Sequence, residues 1–176
     1  KNPVGTREIL SKISKSTQRM MEAMSDIVWA IHSRNDEGID LFIRMRQFAI
    51  DHLELAGIDF EMDVAEKATS LTYTMEAKRN LMLLFKEIVH NASKYSKATL
   101  VKCNVFIEGD KLVMAISDNG VGFDAQADHK GHGLPGFDMR TRSLGGTYLI
   151  ESSKNGTIVS ILLPLSTIVS NPVHYN

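Results

Sequence analysis

The 176-residue sequence is short of cysteine, tryptophan and proline (one, one and four), and of net charge: 20 Lys and Arg against 21 Asp and Glu. A lone cysteine, Cys103, excludes an internal disulfide and points to a reducing compartment. The charge balance, with Lys and Arg spread along the chain, excludes a general pull toward nucleic acid or an anionic membrane. No apolar run approaches the roughly 20 residues of a membrane span. Lys1-Asn2-Pro3 opens the chain with no signal-peptide pattern behind it, and there is no initiator methionine, so a piece of a longer chain is expected. There is no internal repeat and no low-complexity segment.

What is present suits one domain with a short extra element, since 43% of the residues are apolar. From about Thr6 to His32 no Pro or Gly interrupts the chain, and Ile9, Ile13, Met20, Met24, Ile27, Val28 and Ile31 recur at helical spacing. That narrow stripe predicts a long helix needing a partner, with Trp29 as packing. SRNDEG (33–38) breaks it. A second helix is predicted from Ile39 to about Leu55, with Leu41, Phe42, Met45, Phe48, Ala49, His52 and Leu53 inward and Gly57 as its stop. IDFEMDV (58–64) alternates as a strand does. A third helix is predicted over about Thr74–Tyr95. Two strands follow, joined at Glu108-Gly109-Asp110, with Cys103 as a small core residue. A polar, Gly-rich stretch (124–133) reads as a mobile loop, then a helix over about Leu134–Leu144. A last hairpin pairs TYLIESS with TIVSILLPL, turning at Asn155-Gly156. The order predicts an α+β fold: a two-layer sandwich of a mostly antiparallel sheet with helices on one face, preceded by the long helix.

On a helical wheel of the third helix, Leu81, Leu84, Phe85, Ile88, Ala92 and Tyr95 fall toward the sheet. Glu87, His90, Asn91 and Lys94 fall on the opposite side within an arc of about 100°. An acid, an amide and an ammonium on one face can serve a magnesium-bound phosphate, although such a cluster alone is usually a solvated surface. DNGVGF (118–123) adds a carboxylate at a strand end, Asp118, able to accept a hydrogen bond from an exocyclic amine such as that of adenine. Gly120 and Gly122 are read as allowing close approach of a flat ligand. GHGL (131–134) opens the next helix and can offer backbone N–H groups to phosphate.

The set KEIVHNASKYSKA, DNGVGF and GHGLPGFDMRTRSLGGTYLIES resembles the N box and the two glycine boxes of the GHKL ATPase superfamily. Within it, the chain looks most like the catalytic, ATP-binding domain of a bacterial two-component sensor histidine kinase. The resemblance covers roughly residues 36–165. MSDIVWAIHSRNDEGIDLFIRMRQF resembles, more softly, the end of the second dimerisation helix and its linker in the subfamily without a separate F box. It implies a division into residues 1–34 (partial dimerisation helix and linker), 35–168 (catalytic domain) and 169–176 (tail). It implies ATP and Mg²⁺ as ligands. Glu87 would be the catalytic base, or position it, and a possible metal ligand. Asn91 would bind Mg²⁺, Lys94 phosphate and Asp118 the adenine amine. Gly120, Gly122 and Phe123 would line the base, and Gly131, His132, Gly133 and Leu134 the phosphates. Residues 124–130 would form the ATP lid. The implied partners are a response regulator and, through the N-terminal helix, a second copy of the parent. The parent would be attached to the inner membrane and this part cytoplasmic.

Family acceptor histidines are followed by an acid. The six here are followed by Ser33, Leu53, Asn91, Lys130, Gly133 and Tyr175. The expected acceptor therefore lies outside these residues, with His32 a linker residue. A metal site at Asp128, His129 and His132 is a weaker alternative. Other classes remain: an ATP-driven clamp or a serine kinase of the same fold, or a nucleotide-binding module without catalysis.

Overall fold

Five strands and the helices that cover them follow from the alternation and periodicity of the sequence. The computed structural model describes Thr17, Met24, residues 38–123 and residues 134–170. The chain divides into two units, Lys1–Arg34 and Asn35–Asn176. Of the first, Thr17 and Met24 are described, both helical; the rest of the long helix predicted over 6–32, with Trp29 and His32, lies outside the described residues. So do the stretch 124–133 and the tail from Asn171.

In the second unit α1 spans Gly38–Glu54, β1 Asp59–Val64, a four-residue α2 Glu66–Thr69 and α3 Met75–Asn91. A π-helical turn, Ala92–Ser96, extends α3. Then come β2 (Leu100–Glu108), β3 (Lys111–Asp118), α4 (Leu134–Ser143), β4 (Thr147–Ser153), β5 (Gly156–Pro164) and α5 (Leu165–Ile168). The sheet order is β1-β2-β3-β5-β4. β1 pairs with β2 in parallel, and the other three pairings are antiparallel. The expected two-layer α+β sandwich is therefore present, with β3 central.

The helix-facing side of the sheet carries Met62, Val101, Cys103, Val105, Met114, Ile116, Val159, Ile161 and Leu163, all buried. Against it α1 buries Leu41, Met45, Ala49 and Leu53, and α3 buries Leu81, Leu84, Phe85 and Ile88. Each such large side chain contributes roughly 1.5–3 kcal/mol on burial. α3 begins where Thr74 Oγ1 accepts a hydrogen bond from Ala77 N at 3.1 Å, an N-cap worth about 1 kcal/mol. Gly57 follows α1 at φ 69°, as its C-terminal position requires. Burial pushes the Cys103 thiol up to about 12, the Arg46 charge partly opposing, which fits its expected place in the core.

The structure corrects three local expectations. The last hairpin turns at Lys154-Asn155, because Ser153 pairs with Gly156 and puts that glycine inside β5. α2 was not anticipated, four residues being too few to show a period. Tyr95, expected against the sheet, is 62% exposed, because the π-turn inserts an extra residue per turn and rotates it outward.

Candidate functional site

Three chain segments meet at one end of β3. The β2–β3 ladder closes on the pair Val101↔Asp118, and the β3–β5 ladder on Asp118↔Thr157. Alternation puts Asp118 on the same side of the sheet as Met114 and Ile116, the side α3 covers. The half-buried Asp118 carboxylate accepts a hydrogen bond from Gly120 N at 2.9 Å, an Asx-type turn that fixes its orientation. Val121 N donates to Ser96 O at 2.8 Å and so fastens DNGVGF to the end of α3. Phe123 N donates to Ser152 Oγ at 2.8 Å, fastening it to β4.

The glycines carry a load that their spacing does not reveal. A Cβ on Gly120 would lie 2.1 Å from Ser96 O, and one on Gly122 1.9 Å from Ser153 O. Gly122 also sits at φ 62°. A Cβ on Gly156 would lie 1.9 Å from Asp118 O. These residues thus permit a close approach of the protein to itself. They let three backbones cross within one corner, and the position of Asp118 results.

The polar face of α3 is open by comparison. Glu87 is half-buried and Asn91 exposed, and Asn91 Nδ2 donates to Glu87 Oε1 at a long 3.4 Å. That contact uses one N–H of the amide and does not involve its oxygen. Lys94 is exposed, its ammonium 4.8 Å from the Tyr95 ring centre. Tyr95 therefore joins Lys94 on the surface, a residue that the wheel misplaced. His90 departs from the set: its ring stacks at 4.8 Å on His52 of α1, which itself stacks on Phe48 at 5.5 Å. It belongs to the α1–α3 seam rather than to the Glu87 face.

Phe123 is half exposed beside the corner. Leu134 opens α4, which Asn80 of α3 joins through a 3.1 Å hydrogen bond from its Nδ2 to Ser143 Oγ. Gly131, His132 and Gly133, and with them the metal site considered at 128–132, lie outside the described residues. Among the described residues no group of three or more His, Cys, Asp or Glu side chains could hold a metal ion. No described helix is long and apolar enough to cross a membrane. An open recess of about 520 Å³ lies on the other face of the sheet, along the cross-strand row Lys102, Ser117, Ile158 and Glu151, and it reaches Asp118 and Asn119 at the corner.

Sequence reasoning missed Asn119, Ser96 and Ser152. Asn119 is anchored by four hydrogen bonds to Thr99 and Leu100. The Asn-Gly pair carried a turn signal for it. Nothing in the local sequence marks the two serines, whose partners come from distant segments.

Comparison with known proteins places these features in a wider group. The family model described as "Histidine kinase-, DNA gyrase B-, and HSP90-like ATPase" matches residues 76–167. The oxygen sensor histidine kinase NreB of Staphylococcus carnosus is 36% identical over 84 residues, 46% of this chain and 24% of that protein. The signal transduction histidine-protein kinase/phosphatase DegS of Bacillus subtilis is 37% identical over 91 residues, 49% of this chain and 24% of that protein. The chain thus spans about a quarter of the length of these relatives. The histidine kinase domain of the Erythrobacter litoralis blue-light-activated kinase EL346 superposes with a TM-score of 0.69 at 17% identity, over 85% of this chain and 74% of that one.

Proposed function

Since the chain belongs to the histidine kinase-, DNA gyrase B- and HSP90-like ATPase family, we propose that it is the ATP-binding catalytic domain of a sensor histidine kinase. It passes the γ-phosphoryl group of ATP to a histidine that none of its own six supplies, for relay to an aspartate of a response regulator. The observation that carries this reading is Asp118. Its carboxylate is held by Gly120 N at the end of the central strand, on the helix-covered side, in a loop tied to the end of α3. A fixed carboxylate accepts a hydrogen bond from the exocyclic amine of adenine and rejects the carbonyl that guanine carries at that position.

In this reading Gly120 and Gly122 serve the base indirectly, by letting the corner close, while Phe123 offers a ring edge to it. Glu87 polarises the attacking imidazole, as a base or by positioning it. Lys94 compensates phosphate charge, with Tyr95 beside it. Gly131, His132, Gly133 and Leu134 line the phosphate path. The donor set fits Mg²⁺: the oxygens of Asn91 and Glu87 are hard ligands one helical turn apart. Asn91 and Glu87 would hold the ion together with the nucleotide, two protein oxygens being too few for an all-protein cage. The metal, when bound, supplies charge neutralisation between phosphates, and the protein's share is positioning. The domain division at residues 34 and 168, the homodimer through the N-terminal helix and the attachment of the parent to the inner membrane belong to this same proposal.

Labelled ATP with Mg²⁺ tests it. This chain is fused behind a dimerisation helix carrying a His-Asp or His-Glu acceptor. Acid-labile, base-stable label on that helix is expected. Base-labile label, or label on serine, would replace histidine transfer with another phosphoryl chemistry.

A further inference from the structure

The β2–β3 ladder ends at Val101↔Asp118, yet the hydrogen bonding between these strands continues for one more rung. Three of its four hydrogen bonds belong to a side chain. Asn119 Oδ1 accepts from Thr99 N at 2.9 Å and from Leu100 N at 3.0 Å. Asn119 Nδ2 donates to Thr99 Oγ1 at 2.9 Å, and Asn119 N donates to Leu100 O at 3.2 Å. A planar amide with two acceptor lone pairs and a donor can satisfy this set, and an alkyl side chain cannot. The consequence falls on the next peptide. Gly120 N, which orients the Asp118 carboxylate, belongs to the Asn119–Gly120 peptide, so the place of that N–H depends on where Asn119 is anchored.

We propose that Asn119 is a positioning residue for adenine recognition: it replaces the missing ladder rung, fixes the following peptide, and through Gly120 N aims the Asp118 carboxylate at the base. The inference rests on the assignment of Asp118 above. It explains why a residue exposed to solvent is anchored at four points while Glu87 and Asn91, nearer the chemistry, share one long contact.

Calorimetric titration with Mg·ATP and Mg·GTP, well below the melting temperature of each variant, separates positioning from folding. Stoichiometry reads the folded fraction, and Kd reads the geometry. Asn119→Ala is expected to raise the Kd for ATP about tenfold at unchanged stoichiometry and to narrow the ATP-over-GTP preference. Asn119→Asp keeps both accepting interactions and is expected to stay within about threefold of the parent. An Asn119→Ala chain that binds as the parent does, a loss confined to stoichiometry, or an Asn119→Asp chain as impaired as Asn119→Ala overturns the inference. If Asn119→Ala does not fold, Thr99→Val carries the test. It removes only the Nδ2 acceptor, should weaken ATP about threefold, and overturns the inference if Kd is unchanged. Asp118→Asn is titrated in parallel. If it binds as the parent does, the adenine assignment and this inference fall together. If it alone loses ATP while Asn119→Ala does not, only the role of Asn119 falls.

Discussion

The corner at 118–123 and the polar face of α3 lie on two sides of one proposed site and are built in opposite ways. The corner is over-determined. Three backbones cross so closely that Gly120, Gly122 and Gly156 have no room for a methyl group, and Asp118, Val121 and Phe123 are each held by a hydrogen bond. The α3 face is under-determined: Glu87 and Asn91 share one 3.4 Å contact and Lys94 rests on its neighbour's ring. The difference follows the proposed ligand. A purine edge is rigid and asks for a fixed carboxylate, whereas a triphosphate and its metal change geometry during transfer and are served by side chains free to follow.

Breaking the corner should therefore cost folding, and breaking the face should cost chemistry. The largest effect is expected for Gly122→Ala, which puts a Cβ 1.9 Å from Ser153 O at a φ of 62°. A loss of about 4 kcal/mol, or roughly 10 °C in melting temperature, is expected by thermal denaturation. A chain as stable as the parent would show that the corner is loose. Next is Glu87→Ala. It should lower phosphoryl transfer about 100-fold in the fused chain, with Mg·ATP affinity changed less than about threefold. Equal losses in both would make Glu87 a binding residue and erase the contrast. Third is Asp118→Asn, an isosteric change that preserves the acceptor for Gly120 N. It should weaken ATP about 30-fold while the melting temperature moves by less than about 3 °C.

The last effect, the smallest at neutral pH, concerns neither region and reports on the core. The Cys103 thiol is raised to about 12 from 9.0 by burial. Between those values the unfolded chain releases this proton and the folded chain keeps it. This contribution to stability therefore falls as pH rises from about 9 to about 12, by up to about 1.4 kcal/mol per pH unit. At neutral pH it vanishes. Cys103→Ala should flatten the alkaline limb of a stability–pH curve, and a limb as steep as the parent's would assign the loss to other groups.

Much of the second unit was legible because its cues are local. The stripe of Leu81, Leu84, Phe85 and Ile88 predicted α3 and the side it buries, and Thr74 marked its start. Gly109-Asp110 marked the β2–β3 turn, and DNGVGF marked the corner. What failed was local pattern overruled at a distance. The π-turn takes shape where Ser96 Oγ donates to Ala92 O and accepts from Ala98 N, with Lys97 at φ 55°, and Val121 N caps Ser96 O from the loop after β3. A wheel of constant pitch carries Tyr95 inward and misses this. The hairpin at 154–155 was misread by one residue, because Asn-Gly usually supplies both turn positions while here Gly156 yields to Asp118 O.

The residues alone determined which side chains carry charge, amide and apolar surface, and at what period they recur. From this followed the α+β order, the buried face of each long helix and the identity of Asp118, Glu87, Asn91 and Lys94 as a candidate set. Only the tertiary structure decided that β1 joins in parallel, that Tyr95 turns outward and His90 away to α1, and that the glycines make room for backbone. The physical reason is range. Periodicity and turn chemistry act over a few neighbouring residues, but the meetings of Gly120 with Ser96 and of Gly122 with Ser153 join segments far apart in the chain, and no short window of sequence holds both sides of such a contact.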